Sequence, residues 1–127
     1  KKIFKYFKIE KNEKNDDIID KKISWKKTKK ILDNDNFILG GHSHVHMPLT
    51  YFSQKECFSQ INKSIFKFKK NLNLDIEHYS YPEGTRKDFN LQIIKYLKNK
   101  KIKCSPTAIN GYNSHKSNLF LLKRNMV

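Results

Sequence analysis

The residues best suited to chemistry in this chain are three histidines crowded into five positions, in Gly40-Gly41-His42-Ser43-His44-Val45-His46, directly behind the apolar run Phe37-Ile38-Leu39. Imidazole is the commonest protein metal ligand near neutral pH, and a glycine pair just before it lets backbone and ion approach closely. If the segment continues as a strand, His42, His44 and His46 share one face. If it turns into a helical loop, His42 and His46 stack at i and i+4 and His44 points elsewhere. Met47-Pro48 favours the loop, because proline cannot donate to a ladder and is confined to edges and strand ends. The expectation is a His42–His46 metal pair just past the end of a strand, with His44 left out. Two imidazoles do not complete a site: zinc takes about four ligands, so at least one carboxylate or histidine must come from elsewhere.

A second loop has a mechanism of its own. In Tyr81-Pro82-Glu83-Gly84 the proline presets φ, the glycine supplies a positive φ, and a carboxylate sits between them at the end of the β-favouring run Ile76–Tyr81.

Three helices and several short strands are predicted to hold these loops. Ser24 caps a helix opening at Trp25, with Thr28, Ile31 and Leu32 on one face, and Asp33-Asn34-Asp35-Asn36 ends it. Phe37–Leu39 reads as a strand. Ser53-Gln54-Lys55-Glu56 is a capping box, in which hydroxyl and carboxylate satisfy each other's orphan amides. The helix behind it carries Cys57, Phe58, Ile61, Ile65, Phe68 and Leu72 at spacings of three and four, a core stripe with lysines opposite. Asp88 is expected to cap a third helix that buries Phe89, Ile93, Ile94 and Leu97, with short strands following at 102–104 and 119–122. Strand, helix, strand, helix, strand is the alternation of parallel βα units. Both loops then follow the carboxyl ends of consecutive strands, on the face where such folds build their sites.

Composition sets the limits. At 127 residues, with 37% hydrophobic and 13% aromatic content, the chain supports one modest core and one domain. No run approaches the roughly 20 apolar residues of a membrane span. The formal net charge of +15 invites a nucleic-acid reading. Only Arg86 and Arg124 are arginine, the residue that reads guanine edges and grips phosphate bidentately, so the lysines are taken as a solvated surface and no nucleic-acid partner is expected. Residues 1–23 read as a peripheral lysine-rich segment in which Asp16-Asp17 sits in a solvated loop. Cys57 and Cys104, each in an apolar context, read as buried free thiols.

Ile38-Leu39-Gly40-Gly41-His42-Ser43-His44-Val45-His46 resembles the His-Ser/Thr-x-x-His motif of the polysaccharide deacetylases, the NodB-homology enzymes of carbohydrate esterase family 4. Tyr79-Ser80-Tyr81-Pro82-Glu83-Gly84 is similar to the Tyr-Pro-Glu-Gly variant of that family's next motif. Ser24-Trp25, Lys103 to Ala108 and Leu122-Lys123-Arg124 fall where such variants place similar stretches. The resemblance runs from about Ser24 to Val127. It implies an α/β fold, a partial distorted (β/α) barrel over residues 24–127. It also implies a divalent metal, usually zinc, held by His42 and His46 with an aspartate, and an acetylated polysaccharide as substrate. The metal activates water for attack on an acetyl carbonyl, a backbone amide of the turn helps hold the oxyanion, and Tyr81, Pro82 and Gly84 fall on the substrate-binding loop.

The departures carry expectations too. The family's early aspartate pair, one base and one ligand, has no counterpart here, nor has its proton-donating histidine, which suggests a fragment of a longer deacetylase, poorly active alone. Ser80 stands where many members carry an arginine beside the base. Arg124 is therefore the candidate to enter the pocket and pair with the base, and Glu83 the candidate surrogate base. The competing readings are an amidohydrolase-like metal barrel, using His-x-His, and a non-catalytic carbohydrate-binding remnant.

Overall fold

The computed structural model describes residues 22–125; residues 1–21, which include Asp16 and Asp17, and residues 126–127 lie outside them. Helix α1 spans Trp25–Leu32 and begins where the Ser24 hydroxyl accepts the Lys27 N–H. A single 3₁₀ turn, Leu49–Tyr51, follows Pro48. Helix α2 spans Gln54–Leu72, opens on the complete Ser53–Glu56 capping box and stops at Asn73, which turns left-handed at φ 53°. Asparagine tolerates that conformation and satisfies the last carbonyls of the helix. Helix α3 spans Leu91–Asn99.

Its cap is Asn90, not the Asp88 that the sequence suggested. The Asn90 side chain accepts the Ile93 N–H at 3.0 Å. Asp88 is buried, and its Oδ2 accepts from the backbone and hydroxyl of Thr85, closing the turn ahead of the helix, while Oδ1 meets no partner among the described residues.

The expected strands shrink to single contacts. Isolated parallel bridges join Gly41 to Tyr79, His78 to Cys104 and Pro106 to Leu122, and no longer strand forms among the described residues. The physical reasons are local. Gly40-Gly41 has little strand preference, Pro106 has no N–H to give a ladder, and Pro82 cuts off the second run. Phe37 and Ile38 stay exposed and pairing starts only at Gly41. The order of the four segments is nonetheless that of the sequence, each parallel to the next, with α2 and α3 filling the first two connections.

Residues alternate across this extended layer. Tyr79 and Tyr81 point into the core with Ile61 and Cys57 of α2, Ile93 and Leu97 of α3, and Leu49, Ile76, Ile102 and Phe120. The stacked rings of Phe58 and Tyr96, 3.7 Å between centroids, join α2 to α3. His78 and Ser80 take the opposite face. Among the described residues no helix is long and apolar enough to cross a membrane.

Candidate metal centre

Two backbone hydrogen bonds clamp the histidine loop onto the second segment: Gly41 N–H to His78 O at 2.9 Å and Ser80 N–H to Gly41 O at 2.8 Å. The approach is so close that a Cβ on Gly40 would stand 2.9 Å from the His78 carbonyl oxygen, and one on Gly41 2.6 Å from the Tyr79 ring. Beyond the clamp the chain takes the left-handed conformation twice, at Ser43 (φ 57°) and His46 (φ 56°). Non-glycine residues hold it only where neighbours enforce it, and such strain gathers at functional sites. The enforcement is visible. The Tyr79 hydroxyl accepts the Ser43 N–H at 2.7 Å, and the Ser43 hydroxyl accepts the His46 N–H at 3.0 Å.

The result brings the His42 and His46 rings to 4.8 Å between centroids, tilted by 57°. His42 Nδ1 lies 2.9 Å from the Ser80 carbonyl oxygen. A carbonyl only accepts, so Nδ1 carries the proton and the Nε2 lone pair of the neutral ring is left for another partner. His44 goes the other way, into a groove with Lys63 and Lys67. Partial burial, then the charges of Lys67 and Lys63, hold its pKa below the ordinary histidine value.

On the open face lies a cavity of about 370 Å³ lined by His42, His78, Ser80, Cys104 and Leu122 among others. It contains a pair that the sequence reading missed: His78 Nδ1 stands 3.0 Å from the Cys104 sulfur. The signal was the period of two, which puts His78 on the face of Ser80 and away from Tyr79 and Tyr81. Cys104 and Cys57 are both free thiols. Burial raises the pKa of each, that of Cys57 to about 11.

The Tyr81-Pro82-Glu83-Gly84 loop borders the same face through Ser80. Glu83 (φ 61°) and Gly84 (φ 71°) are both left-handed. The Gly84 N–H is used by the Pro82 carbonyl at 2.7 Å, and the Gly84 carbonyl accepts the Ala108 N–H at 2.9 Å. The Tyr81 hydroxyl donates to the Phe120 carbonyl at 3.1 Å, and its ring stacks on Phe89. Burial pushes that hydroxyl up to about 12. Tyr81, Pro82 and Gly84 are thus buried, whereas Glu83 is exposed. Arg124 is exposed as well, with its backbone N–H bonded to the Ile109 carbonyl at 3.1 Å.

As a metal site the donors fit in part. Two imidazoles face each other and the tautomer of one is fixed for coordination, but no group of three His, Cys, Asp or Glu side chains gathers among the described residues.

The family model described as polysaccharide deacetylase matches residues 5–104. The chain belongs to that family. The polysaccharide deacetylase fold is also what it shares with solved structures. It is similar to Streptococcus pyogenes deacetylase PplD in complex with acetate (20% identity, TM-score 0.71, covering 80% of this chain and 43% of that one). It is similar to the BpsB deacetylase domain from Bordetella bronchiseptica (14%, 0.70, 83% and 49%) and to BC0361, a polysaccharide deacetylase from Bacillus cereus (18%, 0.67, 84% and 33%). The chain spans less than half the length of each. No curated protein sequence matches it.

Proposed function

We propose that this chain carries the two-histidine side of a metal-dependent deacetylase site that hydrolyses N-acetyl or O-acetyl groups on a carbohydrate. Its four parallel segments form an arc of a distorted (β/α) barrel, and the partial deacetylase domain is assigned to residues 24–127. The observation that carries the reading is the His42–His46 pair at 4.8 Å, with His42 Nδ1 held by the Ser80 carbonyl, in a member of the polysaccharide deacetylase family. The orientation of His44 toward Lys63 and Lys67 weighs against a His-x-His site of the amidohydrolase kind.

Zinc or a similar divalent ion, when bound, lowers the pKa of water toward 7 and polarises a carbonyl. His42 and His46 would be two of its ligands. The protein's own contributions are positional. The Ser80 carbonyl accepts the Nδ1–H of His42, which leaves the Nε2 lone pair of the neutral ring for an ion, and Tyr79 holds the loop through Ser43. The side chains of Tyr81 and Pro82 are buried and Gly84 has none, so this turn would meet a substrate through its main chain. In that turn the Gly84 N–H is occupied, whereas the Glu83 N–H, like that of Tyr81, meets no protein acceptor among the described residues and is free to hold an oxyanion. The exposed Glu83 carboxylate is the surrogate base this chain offers, and Arg124 the guanidinium to pair with a base carboxylate.

The test is zinc affinity by calorimetry together with acetate release from an acetylated chitohexaose. His42→Ala and His46→Ala should each weaken zinc by about tenfold or more, and His44→Ala should leave it unchanged. An equal loss at His44 would remove the assignment. If Glu83 is the working base, Glu83→Gln lowers acetate release and leaves zinc affinity alone.

A further inference from the structure

The groove that takes His44 has no part in the site just described. Its walls are Trp25 of α1, Lys63, Phe66, Lys67 and Lys70 of α2, and His44 itself, around a space of about 310 Å³. Lys63, Phe66, Lys67 and Lys70 recur at three and four, so one face of α2 presents three ammonium groups and an aromatic ring together. Four described lysines outside the groove find company: Lys69 pairs with Asp75 at 2.6 Å, Lys103 pairs with Glu77, and Lys98 and Lys100 lie over aromatic rings. The three groove lysines meet no carboxylate among the described residues. Both aromatic walls are open, Trp25 at 39% and Phe66 at 62% exposure. Cations that lack counter-ions, beside flat apolar faces, suit a ligand that is anionic and has an apolar face of its own.

Position narrows the ligand. His44 lies two residues from both His42 and His46, which puts the groove mouth within about 7 Å of chain from either. A polymer crossing the histidine pair would run into it. Resting on the deacetylase reading of that pair, we propose that the groove binds an acidic sugar of the same polysaccharide chain. The aromatic rings take the sugar face and Lys63, Lys67 and Lys70 take its carboxylate, so the substrate class is an acetylated anionic glycan.

The test titrates the full chain with a heparosan octasaccharide, which alternates glucuronate with N-acetylglucosamine, and with neutral chitohexaose. At low ionic strength heparosan should bind about tenfold tighter, the sum of three exposed charge contacts of ordinary strength, and the preference should fade with salt. The triple variant Lys63→Gln, Lys67→Gln, Lys70→Gln should lose the preference while chitohexaose and zinc bind as before. Trp25→Leu, which keeps an apolar group against Phe68, should weaken heparosan binding several-fold. Retention of the preference by the triple variant would overturn the proposal, and so would a DNA oligomer of matched charge that binds the wild type as tightly as heparosan. None of these readings needs hydrolysis. A failure of zinc to bind His42 and His46 would count against the deacetylase reading and leave the groove result standing.

Discussion

A methyl group on Gly41 would stand 2.6 Å from the Tyr79 ring, whose hydroxyl holds the Ser43 amide. Gly41→Ala should therefore act twice: overpacking costs roughly 1–3 kcal/mol in the urea midpoint, and the displaced ring lets the loop go, so zinc affinity falls with it. Tyr79→Phe separates the two effects. It keeps the packing and removes one hydrogen bond, at a cost of about 1 kcal/mol, and should show a weaker zinc effect than Gly41→Ala in the same titration. Cys57 makes a different prediction. Its folded pKa of about 11 lies above the ordinary 9.0, so the native state holds the thiol proton that the unfolded chain releases. Stability is then full below about pH 9 and is lost as pH rises toward 11. Urea midpoints at pH 8, 9 and 10 should fall, and Cys57→Ala should flatten that fall, Cys104 contributing in the same direction.

At the scale of elements, the helices could be read from the sequence, whereas of the extended segments only the order could be read and not their reduction to single bridges. The stripe from Cys57 to Leu72 and the Ser24 and Ser53 caps each rest on contacts within a few residues, so local chemistry decides them. Asp88 misled because aspartate suits an N-cap, while the turn opening three residues earlier at Thr85 had the stronger use for it. The segments at Gly41, Tyr79, Cys104 and Leu122 depend on partners far away in the chain, and single bridges leave no regular run to anticipate. The nearness of the His42 and His46 rings was legible in their spacing, but the loop is not the helical one expected: Ser43 and His46 are left-handed. The Ser80 carbonyl on His42, the Tyr79 hydroxyl on Ser43 and the His78–Cys104 contact were not legible, since each spans more than two dozen residues. Capping yields the test at this scale. Ser53→Ala leaves the first-turn amides of α2 unmatched and should cost about 1 kcal/mol, with helical circular dichroism retained at low urea.

For the molecule as a whole, a net charge of +15 on 127 residues is self-repulsion that salt relieves. Raising sodium chloride from about 0.02 M to about 0.5 M should raise the thermal midpoint, the reverse of what a protein stabilised by surface ion pairs would show. The metal should matter less to the fold. His42 and His46 sit on a loop already fastened by protein contacts, outside the cluster that joins α2, α3 and Tyr79. Chelation is expected to leave the thermal midpoint within a degree or two of its value in the zinc-loaded protein, unlike a zinc finger, whose folding depends on its ion.

That fastening also sets the heat signature of metal uptake. Because Ser43 and His46 are held in their left-handed conformations by Tyr79 and by each other, no chain has to be ordered when an ion arrives, and almost no apolar surface changes its exposure to water. Zinc titrations run at several temperatures should give an enthalpy that barely changes with temperature, a near-zero heat capacity of binding.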